Sequence, residues 1–115
     1  MKRILIAEDE VYVRFLYKEA LSQDYETEEA EDGFEALEMI ESEDYDLIIL
    51  DINMPMITGL EVLKRLKDKG LNRKIVVISA YGKAKKKEAL ELGAIDYLEK
   101  PIDLDKLYET IKMWC

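Results

Sequence analysis

Three stretches constrain the fold more than anything else in the chain: RILIA at 3–7, DLIIL at 46–50 and KIVVIS at 74–79. Each is an almost unbroken run of leucine and β-branched residues. A strand with one wet face alternates polar and apolar side chains, so runs without alternation predict strands buried on both faces, the condition of inner strands in a parallel sheet. YETEEA at 25–30 and IDYL at 95–98 are weaker runs and predict more exposed strands. Between the strands, apolar residues recur at helical spacing: Val13, Leu16, Ala20 and Leu21; Ala36, Leu37 and Ile40; Leu60, Leu63 and Leu66; Leu104, Leu107 and Ile111. Alternating strands and helices with right-handed crossovers make a doubly wound α/β domain, which places its site at the carboxyl ends of the strands.

The fourth helical segment, KAKKKEALELG, is the least regular, because its basic run repels itself and offers no apolar contact before Ala89, Leu90 and Leu92. Its first turn is expected to be loop-like, with Lys83 and Lys85 to Lys87 solvated. Gly70 and Gly93 fall where left-handed helix caps are wanted, and Thr58 and Asp103 where N-caps are. Met54 and Met56 are expected to pack in the loop beside the site, and Trp114 to mark a helix end.

Composition removes several classes of function. The chain has 115 residues, one domain's length, and a net charge of −9 from 17 basic and 26 acidic residues, which repels nucleic acid and anionic membranes. No apolar run approaches the roughly 20 residues of a spanning helix. The one cysteine, Cys115, is an exposed terminal thiol in this reading and has no partner for a disulfide within the chain, which fits a reducing cytoplasm.

The strand ends gather polar residues: AEDE after the first run, LDIN after the third, ISAYG after the fourth and YLEKP after the fifth. One edge of the domain therefore collects Glu8, Asp9, Asp51, Ser79 and Lys100. An acidic pair after a strand is commonly only a solvated loop, but a carboxylate continuing an apolar strand, as Asp51 does, loses hydration that something must offset. Two carboxylates about 5 Å apart repel by about 3 kcal/mol at an effective dielectric near 20. A divalent cation resolves this, and an all-oxygen donor set describes Mg²⁺, which keeps waters and commonly binds phosphate. Lys100 and the Ser79 hydroxyl are suited to holding phosphoryl oxygens. A free oxygen of Asp51 is then placed for in-line attack on phosphorus, giving an acyl phosphate.

With these residues in register, the chain resembles the receiver (phosphoacceptor) domain of bacterial two-component response regulators. The resemblance covers residues 1–115 and rests on ILIAEDE with Glu8 and Asp9, DLIILDINMPMITGLEVL with Asp51, VVISAYG with Ser79, and IDYLEKP with Tyr97 and Lys100. It implies a flavodoxin-like (βα)5 fold with strand order 2-1-3-4-5 and a cis Lys100-Pro101 peptide. It implies Mg²⁺, with Mn²⁺ able to substitute, held by the Asp9 and Asp51 carboxylates and the Asn53 backbone carbonyl, with Glu8 acting through a coordinated water. Asp51 would be the phosphoacceptor. Tyr81 and the side chain of Asn53 would flank the phosphoryl group and tune its lifetime. Ser79 and Tyr97 would form the switch: as Ser79 moves to the phosphoryl group, Tyr97 rotates inward and repacks the surface of helix four, strand five and helix five. Without the motif, Tyr97 reads as a half-buried strand tyrosine with a hydrated hydroxyl.

The implied partners are a sensor histidine kinase or histidine phosphotransfer protein, docking on the first helix and the loop after Pro101, and a downstream protein target. The oligomeric expectation is a monomer or a phosphorylation-dependent dimer. No output domain is expected within residues 1–115, which leaves a stand-alone regulator or a receiver cut from a longer protein. Two departures stand out. Glu8 replaces the more usual aspartate, and the span from Ser79 to Gly93, where KAKKK lies, is one residue short of the family norm.

Three rival readings are weaker. An aspartate-nucleophile phosphohydrolase needs a general acid where Asn53 stands. A flavin or nucleotide module needs a small-residue phosphate loop where EDEVY stands. A receiver acting as an unphosphorylated interaction platform would not need so complete a site.

Overall fold

The structure, a computed structural model, describes all 115 residues. Parallel strands β1 (Arg3–Ala7), β2 (Glu26–Ala30), β3 (Leu47–Asp51), β4 (Ile75–Ser79) and β5 (Asp96–Glu99) form one sheet in the order β2-β1-β3-β4-β5. Helices α1 (Val11–Leu21), α2 (Gly33–Ser42), α3 (Gly59–Asp68), α4 (Lys86–Glu91) and α5 (Leu104–Trp114) cover its two faces. The two weak runs are the edge strands, and every residue of β3 and β4 is buried.

The inner strands lack alternation because each of their faces serves a core. Leu5, Ile48, Leu50 and Val77 pack towards α2, α3 and α4, while Ile4, Ile6, Ile49 and Ile78 pack towards Tyr17, Leu21, Leu107 and Ile111 of α1 and α5. Each such side chain contributes about 1.5–3 kcal/mol on full burial. The two cores clamp the sheet, and the sheet aligns every carboxyl strand end along one edge.

Local signals act as expected at most helix ends. Thr58 Oγ1 accepts from the Glu61 N–H at 3.2 Å and Asp103 Oδ1 from the Asp105 N–H at 2.8 Å. Gly70 and Gly93 take φ of 70° and 107°. The basic run starts as a 3-10 turn at Gly82–Lys85 before the six-residue α4, and none of its lysines is ion-paired. The Lys100-Pro101 peptide is cis.

Three expectations need correction. The buried face of α1 is Arg14, Tyr17 and Leu21, with Val13, Leu16 and Ala20 only partly covered, because the guanidinium of Arg14 finds partners beneath the helix. Met54 is buried, but Met56 turns out to solvent at the one non-glycine residue of positive φ, 74°. Cys115 is half-buried against the α1/α5 core. Around it the chain ends meet at the amino-terminal edge of the sheet, where Lys2 Nζ donates to the Cys115 carbonyl and Lys74 Nζ to the Trp114 carbonyl at 3.1 Å.

Gly59 brings the loop after β3 back under the strand. Its N–H donates to the Ile52 carbonyl at 2.8 Å, and a Cβ there would lie 2.3 Å from the Asp51 backbone oxygen. Gly59→Ala is therefore expected to cost about 3 kcal/mol, the upper range for overpacking, because only backbone can yield. Urea denaturation checks this; a variant as stable as the parent would rule out the close approach.

Candidate functional site

The carboxyl ends of β1, β3 and β5 bring four of the sequence-derived residues into one cluster. Lys100 Nζ, just beyond β5, donates to Asp51 Oδ2 at 2.8 Å and to Glu8 Oε1 at 2.9 Å. Oxygens of Glu8, Asp9 and Asp51 all lie within 4.8 Å of one another. Asp51 is the last residue of β3 and is buried with Glu8, while Asp9 is more exposed. Backbone donors complete the shell: the Glu10 N–H reaches Glu8 Oε2 at 3.0 Å and the Asn53 N–H reaches Asp51 Oδ1 at 3.2 Å.

Charge is unbalanced here. Burial raises the pKa of Glu8, helped by the Asp51 carboxylate and opposed by the Glu10 N–H and the Lys100 ammonium. Burial also raises that of Asp9, with Glu8 adding to it. For Lys100, burial disfavours the ammonium, but its bonds to Asp51 and Glu8 prevail and hold its pKa above the usual lysine range. One ammonium thus faces three carboxylates. The remaining negative charge and the all-oxygen donor set fit Mg²⁺, and offer neither nitrogen nor sulfur to a softer metal.

Ser79 ends β4 fully buried, and its Oγ accepts the Tyr81 N–H at 2.9 Å. Tyr81 itself is about half exposed, and Asn53 is exposed too. Tyr97 differs from the half-buried, hydrated residue read without the motif. Its ring is buried and its hydroxyl donates to the Gly82 carbonyl at 2.6 Å. The inward position is therefore already occupied, with that carbonyl as the acceptor for the hydroxyl.

Sequence reasoning missed Arg14. Its side chain is buried, with Nη1 on the Glu8 carbonyl at 2.7 Å and Nε on Glu29 Oε1 at 3.0 Å. The available signal was spacing: Arg14, Tyr17 and Leu21 stand three and seven apart, on one helical face.

Fold and site together define a doubly wound α/β domain with an acidic cluster, suited to a divalent cation, at the end of its central strand. The chain matches the model of the response regulator receiver domain over residues 4–112 and belongs to that family, a phosphoacceptor module of two-component signalling. It is 34% identical over 115 residues to sporulation initiation phosphotransferase F of Bacillus subtilis, covering 98% of this chain and 93% of the relative. It is 42% identical over 112 residues to response regulator MprA of Mycobacterium ulcerans, covering 96% of this chain but 48% of the relative. The chain thus spans about half the length of that protein. Among solved structures, the receiver domain of Francisella response regulator 1452 matches with a TM-score of 0.93 at 31% identity, covering 99% and 96% of the two chains. Response regulator TrrA of Thermotoga maritima, in complex with Mg²⁺-BeF, matches with a TM-score of 0.88 at 40% identity over 100% of both chains.

Proposed function

We propose that Asp51 receives a phosphoryl group from a phosphohistidine on a sensor histidine kinase or histidine phosphotransfer protein. The observation that carries this is the Lys100 ammonium bridging Asp51 and Glu8, with Asp9 beside them, at the end of a buried strand. A carboxylate oxygen of Asp51 attacks phosphorus in line, the phosphorus–nitrogen bond breaks, and the imidazole leaves. Lys100 turns from Asp51 to a phosphoryl oxygen, and Ser79 exchanges its local bond for another. Asp9, Asp51 and the Asn53 carbonyl would hold Mg²⁺, with Glu8 acting through a water and Mn²⁺ able to substitute. When bound, the ion withdraws charge from the phosphoryl oxygens. The TrrA complex with Mg²⁺-BeF supports this assignment.

The domain assists its own phosphorylation and dephosphorylation and turns over no separate substrate. Its output is conformational. Ser79 is tied to the Tyr81 N–H and Tyr97 to the Gly82 carbonyl, so movement of Ser79 towards phosphate pulls the segment that holds Tyr97 and alters the surface of α4, β5 and α5. The kinase or phosphotransfer partner docks on α1 and the loop after Pro101. Exposed Val11, Tyr12 and Phe15 and a groove of about 440 Å³ between Val13, Leu16, Pro101 and Leu104 support that surface. A cytoplasmic location fits these partners, and a downstream protein target reads the surface as monomer or phosphorylation-dependent dimer.

The testing experiment is intact mass after incubation with a small acyl phosphate, with and without Mg²⁺. A Mg²⁺-dependent gain of one phosphoryl group is expected; no gain despite Mg²⁺ binding would favour a phosphate-independent platform. Tyr81, half exposed and two residues beyond Ser79, hinders the water that hydrolyses the acyl phosphate. Tyr81→Ala is expected to shorten the phosphoryl lifetime severalfold in a decay assay, and an unchanged lifetime would remove Tyr81 from this role.

A further inference from the structure

Arg14 is a buried cation whose partners lie on two other elements, and phosphoryl transfer as derived above gives it no task. Its guanidinium reaches the Glu8 carbonyl at 2.7 Å, Glu29 of β2 at 3.0 Å and Glu31 just beyond β2 at 3.6 Å. Lys18 adds a looser contact to Glu29 at 3.8 Å. The Glu8 carbonyl belongs to the peptide that joins Glu8 to Asp9, the two acidic residues contributed by the turn after β1. The other side of Glu8 is pinned as well, since its N–H donates to the Ala30 carbonyl at 3.1 Å. Rotation of the Glu8–Asp9 peptide would swing Asp9 relative to Asp51 and would leave a buried guanidinium N–H without an acceptor, which is costly.

We propose that Arg14 is a positioning residue for the Mg²⁺ site: anchored by Glu29 and Glu31, its guanidinium fixes the Glu8–Asp9 peptide and so sets where the Asp9 carboxylate stands against Asp51. This rests on the Mg²⁺ reading of the acidic cluster. The carboxylates of Glu29 and Glu31 balance the guanidinium's charge, so its effect on the metal is through geometry. Arginine is required because its planar fork bonds a carbonyl and a carboxylate together, which a lysine ammonium does not reproduce. A residue that orients metal ligands through hydrogen bonds commonly controls affinity by about 10- to 100-fold.

The test is calorimetric titration of the full chain with MgCl₂, alongside denaturant melts of the metal-free protein. Arg14→Lys and Arg14→Met are each expected to weaken Mg²⁺ binding about tenfold, the lower end of that range. Glu29→Ala, which removes one anchor, is expected to produce a smaller loss. Leu21→Ala, buried on the same helix face but without contact to Glu8, serves as the stability control and should melt earlier yet bind Mg²⁺ like the parent. The Asp9 amide resonance of metal-free protein should shift in Arg14→Lys and stay in place in Leu21→Ala, which reads the peptide without any metal. Folded Arg14 variants that match the parent's affinity would overturn the proposal, as would a Leu21→Ala loss equal to theirs. A parent that binds no Mg²⁺ would instead bring down the metal reading itself.

Discussion

Asp51→Asn is expected to gain no phosphoryl mass under conditions that load the parent. The amide keeps the shape of the carboxylate but is a poor nucleophile, and no other carboxylate is in its place at the end of β3 with Lys100 on one oxygen and the Asn53 N–H on the other. The fold is expected to survive, since Lys100 retains Glu8 as partner at 2.9 Å. Removing one carboxylate also relieves like-charge repulsion of about 3 kcal/mol for a pair about 5 Å apart, which offsets the lost bond to Lys100. Metal-free Asp51→Asn should therefore melt close to the parent while binding Mg²⁺ more weakly. Intact mass and a melt with and without MgCl₂ read both parts. Residual loading at Glu8 or Asp9 would show that the acceptor is not unique.

Lys100→Met has the opposite signature. Without Mg²⁺ it leaves buried Glu8 and Asp51 with no cation, and breaking a buried pair of this kind costs about 3 kcal/mol or more. The variant should bind Mg²⁺ more tightly than the parent, because the ammonium that competes for Asp51 is gone. Saturating Mg²⁺ should restore much of its stability, yet phosphoryl uptake should stay low without a lysine to meet the transferred group. Linkage in the parent agrees in sign. The pKa of Lys100 is raised on folding, so its stabilisation is complete below the ordinary lysine value and is lost only as pH rises through the folded one. Unchanged metal-free stability in Lys100→Met would refute the account of the site as a cation-starved cluster.

The fold was legible because parallel strands announce themselves by uninterrupted apolar runs, and β3 ends its run on a buried carboxylate. Asp51 could be singled out because a carboxylate continuing an apolar strand breaks a local rule, and Lys100 because it follows the fifth run at the same edge of the sheet. Arg14 could not be found that way. It sits on a helix whose inner face looked sufficiently apolar without it, and its carbonyl acceptor is visible only once β1 and α1 are in place. The inward ring of Tyr97 depends on where the Gly82 carbonyl points, which no spacing records. Met56 and Cys115 were misjudged for a related reason, since solvent exposure at a loop or chain end follows from tertiary contacts.

The meeting of the two chain ends, through Lys2 on the Cys115 carbonyl, lies on the sheet edge opposite the acidic cluster, where Lys74 ahead of β4 also holds the Trp114 carbonyl. Joining those ends and opening the chain at an exposed turn elsewhere would reorder the thread without reordering the sheet. The site is a property of strand adjacency, so a circularly permuted protein keeps the same carboxylates around the same lysine. The same geometry makes that far edge a handle: a surface anchor or a fused domain attached there stands a full sheet's length from the chemistry and leaves its mouth open.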